Sequence, residues 1–171
     1  MGTPKALLQL DAKTTLLEAH VQALEACCPR IVVVVGAYPE VTDSLGGRVS
    51  TVHNPRWAET GAVESLQLAL RQLDPSRVLV APVDTPPVSS RDLALLARCE
   101  QSAVLAWQGQ PGHPVLLDET LAAALREGPL PQGGLTERLT GAHQVSSDRR
   151  ECTWNLNTPE EWSNWLRHSQ P

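Results

Sequence analysis

The sequence predicts an α/β protein with a mainly parallel sheet. Between Leu16 and Trp107, segments with helical periodicity alternate with short apolar runs, an order that is typical of βαβ units. The apolar run 78–83 is closed by prolines and ends in Asp84, as expected of a strand that is buried on both faces. With 171 residues, the chain is long enough for a single domain over 1–171 with its own core.

In the first half of the chain, apolar spacing and helix breakers delimit each element. Leu17, Val21 and Leu24 form one stripe of a helix over residues 15–27, because residues three and four apart share a helix face. The β-branched residues over 31–35 predict a strand. Further along, we expect a helix over 38–45, a strand over 49–53, a helix capped by Thr60 that runs to Leu73, and the strand 78–83.

Capping signals mark the helices of the second half. Ser89 and Asp92 resemble a capping box, and Thr158-Pro159-Glu160-Glu161 combines a cap, a proline at the first helical position and a capping glutamate. We expect helices over 89–96, 119–126, 135–139 and after Thr158, strands over 103–107, 115–117, 143–146 and 151–155, and a turn at 109–112.

Composition argues against two classes of partner. The formal net charge is -5, and the lysines and arginines are scattered without a basic block, which argues against a nucleic-acid surface. No apolar run approaches the length of a transmembrane helix, and the start of the chain has no apolar signal region. The sequence therefore predicts a cytoplasmic protein that binds neither nucleic acid nor membrane.

Polar side chains follow the predicted strands at points where an α/β sheet binds ligands. Lys5, Asn54 with Ser65, Asp84 and Asn157 lie at or beside carboxyl ends of predicted elements. The chain has neither a dinucleotide fingerprint nor a P-loop. A cation, a carboxylate that can hold Mg²⁺ and neutral hydrogen-bonding groups favour a site that handles phosphate. As an alternative, Asp84 serves only a local turn.

Several short motifs occur in one order along nearly the whole chain. They are Met1-Gly2-x-Pro4-Lys5, Asn54-Pro55-x-Trp57, Pro82-Val83-Asp84-Thr85-Pro86, Gly112-His113-Pro114 and Asn157-Thr158-Pro159-Glu160. Together they resemble the signatures of the MobA-like NTP transferase family, the molybdenum-cofactor nucleotidyltransferases. The Gly-His-Pro and Asn-Pro-x-Trp motifs resemble the cytidylyltransferase branch, whereas Asn-x-Asn-Thr-Pro is more similar to the guanylyltransferase branch.

The resemblance implies a fold and a role for each candidate residue. The family fold is a three-layer α/β/α Rossmann-like sheet. By resemblance, Lys5 neutralises nucleotide phosphate, Asp84 binds Mg²⁺, and Asn54 and Ser65 line the nucleotide or pterin pocket. Asn157 takes the place of a second metal-binding aspartate of the cytidylyltransferase branch, with an amide where that branch has a carboxylate. For His113, which precedes a proline, we expect a structural role.

The activity implied by the resemblance is Mg²⁺-dependent transfer of CMP or GMP from the triphosphate to molybdopterin, with release of pyrophosphate. CTP or GTP and a phosphorylated acceptor would be the substrates, and a molybdoenzyme or its chaperone a protein partner. Two alternatives stay open. One is a non-catalytic nucleotide- or pterin-binding protein on the same fold, and the other is a nucleotidyltransferase for a sugar or polyol phosphate, because fold alone does not decide function.

The start of the chain departs from the family pattern. In the family, a buried strand and a glycine loop precede the Met-Gly signature, and here the signature comes first. We therefore expect a domain that is N-terminally truncated relative to the family and weakened at its centre. Upstream residues, a rearranged N-terminus or a partner subunit would fill the gap.

Overall fold

The strands form two separate sheets. The structure, a computed structural model, describes residues 4–74, 76–129 and 134–169, apart from the side chain of Ser169. The first sheet is two-stranded and parallel, with β1 (Val32–Val35) beside β2 (Ser50–His53). The second is four-stranded, in the order β3 (Val78–Val80), β5 (Gln110–Leu117), β4 (Ala103–Trp107) and β6 (His143–Ser146).

Six α-helices and three 3₁₀ segments connect the strands within the described residues. The helices are α1 (Leu16–Glu25), α2 (Ala62–Leu70), α3 (Ser90–Ala97), α4 (Glu119–Glu127), α5 (Gly134–Arg138) and α6 (Pro159–Ser169); the 3₁₀ segments are Lys5–Leu7, Pro39–Arg48 and Arg150–Thr153. At α1, the Thr15 hydroxyl accepts from the amide of Glu18 at 3.2 Å, and the Glu18 carboxylate accepts from the amide of Thr15 at 2.7 Å. This reciprocal cap explains why the helix begins there. In the described part of the chain, no helix has the length and apolarity that crossing a bilayer requires.

The larger sheet is mainly parallel in direction, as predicted. β3 and β4 both run antiparallel to β5, and β6 runs parallel to β4, so three of these four strands point the same way. β5 is reversed because a tight turn joins it to β4. The two residues of that turn, Gln108 and Gly109, have φ of 50° and 81°, the left-handed conformation that two-residue hairpins need.

Helices cover both faces of this sheet. Val104 and Leu117 pack with Leu70 of α2 and Leu125 of α4, whereas their strand neighbours belong to a different cluster. That second cluster unites Leu105 and Leu116 of the strands with Leu96 of α3. Because successive strand residues point to opposite faces, the two clusters are the two interfaces of an α/β/α sandwich. The predicted three-layer class is therefore confirmed.

An apolar cavity separates the two sheets, and we call it the inter-sheet cleft. It has a volume of about 840 Å³ and is lined by residues 31–34 on the β1 side and by residues 78–84 on the β3 side. Side chains of α1 and α2 close it from the two faces, and Lys5 lies at its polar end. Neither β1 nor β3 has a second strand partner among the described residues.

Two predicted elements end differently in the structure. β3 stops at Val80, because Pro82 cannot donate to the ladder and the chain then turns: the amide of Thr85 donates to the Pro82 carbonyl at 3.3 Å. β5 begins at Gln110, inside the predicted turn 109–112, because the turn that joins it to β4 is formed by Gln108 and Gly109. The strand predicted over 78–83 was thus too long, and the strand predicted over 115–117 too short.

The structure corrects two further predictions. The cap of α2 is Gly61 and not Thr60, because the Thr60 hydroxyl donates to the Arg56 carbonyl at 2.8 Å and accepts from Asn54 at 3.0 Å. The strand predicted over 151–155 is the 3₁₀ segment Arg150–Thr153, which packs against β4 and β5. Met1 and Gly2 of the N-terminal motif, and positions 130–133 of the second half, lie outside the described residues.

Candidate functional site

Asp84 lies in the turn after β3, at one end of the inter-sheet cleft. The Pro82–Thr85 turn carries its side chain past the end of the strand, and 39% of that side chain is exposed. The backbone carbonyl of Asp84 accepts from the amide of Leu156 at 2.7 Å, which ties the turn to the segment before α6. The carboxylate is therefore accessible to a ligand while its backbone is held in place.

The side chain of Lys5, which begins the first 3₁₀ segment, contacts this carboxylate. Its ammonium Nζ lies 3.5 Å from Oδ2 of Asp84 and also donates to Oδ1 of Asn157. The 3₁₀ segment that begins at Lys5 packs through Ala6 and Leu7 against the cluster that contains Leu17. The structure thus brings together three of the predicted site residues from points far apart in the chain.

Asn157 is oriented by the start of α6. The carboxylate of Glu161 accepts from the amides of Asn157 and Thr158 at 2.7 and 2.9 Å, and the Thr158 hydroxyl accepts from the amide of Glu161 at 3.1 Å. This is the predicted capping box with one extra bond. The backbone of Asn157 is thus held by Glu161, and its side-chain carbonyl oxygen accepts from Lys5.

The oxygens of Asp84 and Asn157 converge on one positive charge. Both accept from the same Lys5 ammonium, so the two oxygens lie close enough to share a cation. One carboxylate and one amide oxygen form a partial ligand set for Mg²⁺ or Mn²⁺, which take remaining ligands from substrate phosphates and water. No group of three or more His, Cys, Asp or Glu side chains suited to a metal occurs in the part of the chain that the structure describes. The residues present therefore fit a divalent metal that is completed by its substrate.

Asn54 and Ser65 form a second polar pair, of which Ser65 lines the cleft. The Asn54 amide nitrogen donates to Oγ of Ser65 at 3.1 Å and to Thr60 at 3.0 Å, and its carbonyl accepts from the amide of Arg56 at 3.0 Å. Only 4% of Asn54 is exposed, and both of its N–H donors are used. Ser65, in contrast, lines the cleft with Lys5 and Asp84. Of the two, Ser65 is the one that the structure leaves open to a ligand.

Two histidines near Asp84 were not among the predicted site residues. Nε2 of His20 donates to the Thr85 carbonyl at 2.9 Å, and burial lowers the pKa of His20 although the charge of Asp84 acts to raise it. Burial likewise lowers the pKa of His113, again against Asp84. Nδ1 of His113 is buried without a hydrogen-bond partner in the described part of the chain. His113, predicted to be structural, thus offers an unused polar atom beside the site.

The sequence carried only weak signals for these histidines. His20 lies on the apolar stripe of α1 with Leu17, Val21 and Leu24, where it is hard to separate from a core residue. His113 belongs to the Gly112-His113-Pro114 motif, but its closeness to Asp84 depends on β5 lying next to β3.

Two exposed aromatic side chains lie at the carboxyl ends of β1 and β2. Tyr38 follows β1 and is 51% exposed, and Trp57 follows β2 and is 50% exposed. Trp57 packs over Gly36, where an added Cβ would lie 2.8 Å from Cβ of Trp57. Glycine at position 36 therefore lets the indole approach the backbone at this edge of the sheet.

Comparison with known proteins identifies the family. The model of the MobA-like NTP transferase domain matches residues 1–146. The chain belongs to this family. It is accordingly a nucleotidyltransferase, and membership implies a nucleoside triphosphate and a phosphorylated acceptor as substrates.

Several solved structures share this fold, and two of the three described next carry a nucleotidyltransferase activity in their names. A nucleotidyl transferase from Methanothermobacter thermautotrophicus is 26% identical, with a TM-score of 0.78 over 96% of this chain and 84% of that one. Rv0371c from Mycobacterium tuberculosis H37Rv is 19% identical, with a TM-score of 0.76 over 98% and 90%; it has also been solved with manganese. CTP:phosphocholine cytidylyltransferase from Streptococcus pneumoniae is 13% identical, with a TM-score of 0.71 over 99% and 91%. Those below 25% identity support the fold.

Proposed function

We propose that this MobA-like transferase moves CMP or GMP from CTP or GTP to molybdopterin and releases pyrophosphate. The observation that carries the proposal is the convergence of Lys5, Asp84 and Asn157 at one end of the inter-sheet cleft. A cation and two oxygen ligands at one point suit the triphosphate, whose charge must be neutralised while the α-phosphate is attacked.

In such a transfer, each candidate residue would have a separate role. Asp84 and the carbonyl oxygen of Asn157 would hold Mg²⁺, which supplies charge neutralisation on the triphosphate when bound. Lys5 would pair with phosphate oxygens, for which its compact ammonium is suited. The acceptor phosphate is already ionised at neutral pH, so in-line attack needs positioning more than a general base. Ser65 would orient the substrate from the facing side of the cleft.

The choice of metal is also a proposal. Nucleotidyltransferases generally use divalent metals, and the manganese complex of Rv0371c is an example among proteins of this fold. Mg²⁺ and Mn²⁺ both accept carboxylate and carbonyl oxygens. We expect Mg²⁺ to support activity and Mn²⁺ to replace it.

The exposed aromatic residues favour a flat acceptor. Tyr38 and Trp57 present half-exposed rings at the edge of the sheet where β1 and β2 end. Flat aromatic surfaces of this kind stack against planar rings, and the contact contributes favourably beyond the buried area. A pterin offers such a ring, whereas a sugar or polyol phosphate does not. This is why molybdopterin is preferred over the sugar-phosphate alternative.

A matrix of substrates tests the proposal. Pyrophosphate release is measured for CTP, GTP, ATP and UTP, each with molybdopterin, a sugar phosphate, a polyol phosphate or no acceptor, with Mg²⁺, Mn²⁺ or a chelator. We expect release only with molybdopterin, with CTP or GTP, and with metal. Release with a sugar or polyol phosphate would move the acceptor to that class. Metal-dependent binding of a nucleotide without release under any condition would favour the non-catalytic alternative.

A further inference from the structure

Lys5 has two sets of oxygen partners in the proposed function, and its single ammonium can contact only one of them at a time. In the structure, Nζ of Lys5 lies 3.5 Å from Oδ2 of Asp84 and donates to Oδ1 of Asn157. These two oxygens are the proposed ligands of a divalent metal, whereas the proposed partners of Lys5 are phosphate oxygens. Lys5 must therefore leave Asp84 and Asn157 before the metal and the triphosphate can both be held.

A metal ion on these oxygens would lie close to the ammonium. Mg²⁺ binds its oxygen ligands at about 2.1 Å, so an ion on Oδ2 of Asp84 would lie no further than about 5.6 Å from Nζ of Lys5 in its present position. The two positive charges repel each other strongly at this distance, because both side chains are partly buried and water screens them incompletely. The ammonium and the ion therefore compete for the same oxygens.

Only the side chain of Lys5 needs to move for this exchange. Its backbone belongs to the first 3₁₀ segment, where the Lys5 carbonyl accepts from the amide of Leu8 at 3.0 Å. The Asp84 carbonyl is held by the amide of Leu156 at 2.7 Å, and the backbone of Asn157 is held at the start of α6. A lysine side chain is a flexible four-carbon stem. The ammonium can thus change partners while the two oxygens stay in place.

The ion pair between Lys5 and Asp84 is weak enough to be exchanged. The two side chains are 29% and 39% exposed, and pairs exposed to this degree contribute little to stability. A triphosphate offers several charged oxygens, and charge-assisted hydrogen bonds to phosphate are strong. A bound triphosphate is therefore a better partner for the ammonium than Asp84, whereas a metal ion by itself offers the ammonium no partner.

We propose that Lys5 holds the cation position on Asp84 and Asn157 until a triphosphate binds, so that the metal enters together with the triphosphate and not alone. This rests on the proposed function for the roles of Lys5 and Asp84. Lys5 is then a competitor of the free metal ion and, after the exchange, a ligand of phosphate. The consequence is a site that selects the metal–triphosphate complex over the free ion.

Replacing Lys5 tests this proposal by binding alone. Lys5→Met removes the ammonium and keeps an apolar stem. Titration calorimetry is carried out with Mn²⁺ alone and with the preformed complex of Mn²⁺ and inorganic tripolyphosphate. Lys5→Met should bind Mn²⁺ alone at least about tenfold more tightly than the native chain, and the tripolyphosphate complex at least about tenfold more weakly. The two changes have opposite signs because one ammonium excludes the metal and pairs with phosphate.

Two further variants control for charge. Lys13 is the second of the two lysines of the chain and is exposed, so Lys13→Met makes the same change of charge away from the two oxygens. It should alter both affinities less than about twofold, because solvent screens an exposed charge. Lys5→Arg keeps a cation on Asp84 and Asn157 and should bind Mn²⁺ alone as weakly as the native chain. Thermal melts check that all variants are folded.

Three outcomes would overturn the proposal. Equal or weaker binding of Mn²⁺ alone in Lys5→Met would show that Lys5 does not compete with the metal, even if the tripolyphosphate complex binds more weakly. The same gain in Lys13→Met would assign the effect to net charge. The same gain in Lys5→Arg would show that a cation at position 5 does not exclude the metal.

Failure of this proposal can be told apart from failure of the proposed transfer. The titrations contain no CTP, GTP or molybdopterin, and tripolyphosphate has no base to recognise. The predicted affinities without pyrophosphate release in the substrate matrix would support the competition by Lys5 and overturn the transfer. Pyrophosphate release together with equal Mn²⁺ affinities in Lys5→Met and the native chain would support the transfer and overturn the competition.

Discussion

At the scale of single residues, our proposal assigns the chemistry of this transferase to the group formed by Lys5, Asp84 and Asn157. The ammonium and the carboxylate are each about a third exposed, with side-chain values of 29% and 39%. An ion pair with this exposure contributes at most about 1 kcal/mol to stability. We therefore propose that the pair serves to bind charged substrate and contributes little to folding.

Replacing Asp84 should separate these two effects. In Asp84→Asn we expect pyrophosphate release to fall on the order of 10²–10³-fold, because a charged metal ligand is lost from the site. The melting temperature should change little, because the ion pair with Lys5 is weak. Asp148→Asn is the matched control: Asp148 also pairs with a cation, Arg91 at 2.9 Å, but is 82% exposed. Full activity in Asp84→Asn would return Asp84 to the role of a turn residue.

Substitution at Asn157 should act in the opposite direction. Asn157→Asp adds a charged oxygen where the amide oxygen now faces Lys5, and we expect Mn²⁺ or Mg²⁺ to bind roughly tenfold more tightly, or about 1.4 kcal/mol. Titration calorimetry with the metal alone measures this. Asn155→Asp places the same charge at an exposed neighbouring position and should change affinity much less. Equal gains in metal affinity for both variants would mean that the added negative charge attracts the metal at a distance and that position 157 does not ligate it.

His20 should make stability depend on pH. Burial is the largest effect on its pKa and lowers it below the ordinary 6.5, so the unfolded chain takes up a proton before the folded chain does. The contribution of neutral His20 to stability is present above about pH 6.5 and is lost as the pH falls below it, by up to about 1.4 kcal/mol per pH unit.

His20→Gln should therefore show a smaller loss of stability between pH 7.5 and 5.5 than the native chain, because glutamine keeps a donor for the Thr85 carbonyl but takes up no proton. Urea unfolding at several pH values gives the slope. The exposed His143 serves as control, and His143→Gln should leave the slope unchanged. If the free energy of unfolding depends on pH in the same way in His20→Gln and in the native chain, His20 is not the source of the pH dependence.

At the scale of secondary-structure elements, close approach between backbones positions β5 beside the site. Gly112 lies in β5 directly before His113, and a Cβ built at this glycine would come within 2.2 Å of the Cys152 carbonyl oxygen. The 3₁₀ segment Arg150–Thr153 can therefore lie against β5 only because position 112 has no side chain.

Gly112→Ala should consequently disturb the packing of the 3₁₀ segment against β5. We expect a loss of about 1–3 kcal/mol in the free energy of unfolding, since a backbone carbonyl cannot move aside as a flexible side chain would. Gly47→Ala is the control, because a Cβ at Gly47 meets nothing within 4 Å. Denaturant melts of the two variants measure the difference. Equal stability would mean that the 3₁₀ segment shifts without cost.

At the scale of the whole molecule, the split into two sheets should be visible as uneven stability. In the part of the chain that the structure describes, the sheet of β1 and β2 has two strands, and such pairs are marginal unless other elements support them. β4, in contrast, has partners on both edges and helices on both faces.

We therefore expect amides of Val32–Val35 and Ser50–His53 to exchange faster than those of Ala103–Trp107, with protection lower by at least roughly tenfold. Hydrogen exchange followed by mass spectrometry measures both sets in one sample. The comparison is internal, so it needs no variant. Uniform protection across both sheets would mean that they unfold as one cooperative unit.

Local patterns in the sequence were sufficient for most elements and for the central group of the site. The reciprocal cap at Thr158 and Glu161, the apolar stripe of α1 and the β-branched run of β1 depend on neighbours a few residues away, and such short-range effects can be predicted from spacing. The same holds for Asp84 at the end of its strand. Lys5 and Asn157 were candidates because they lie beside the ends of predicted elements, and the family motifs then gave each a role; the structure places both beside Asp84.

Contacts between distant parts of the chain decided the rest. Thr60 does not cap α2 as predicted, because its hydroxyl accepts a hydrogen bond from Asn54. The strand predicted over 151–155 is instead a 3₁₀ segment, which lies against β5 at Gly112. His20 and His113 came near Asp84 only through the packing of α1 and β5 around β3. The inter-sheet cleft likewise depends on which two strand edges face each other, in this case those of β1 and β3. Pairing and packing of this kind join residues that spacing along the chain does not relate, so only the tertiary structure determines them.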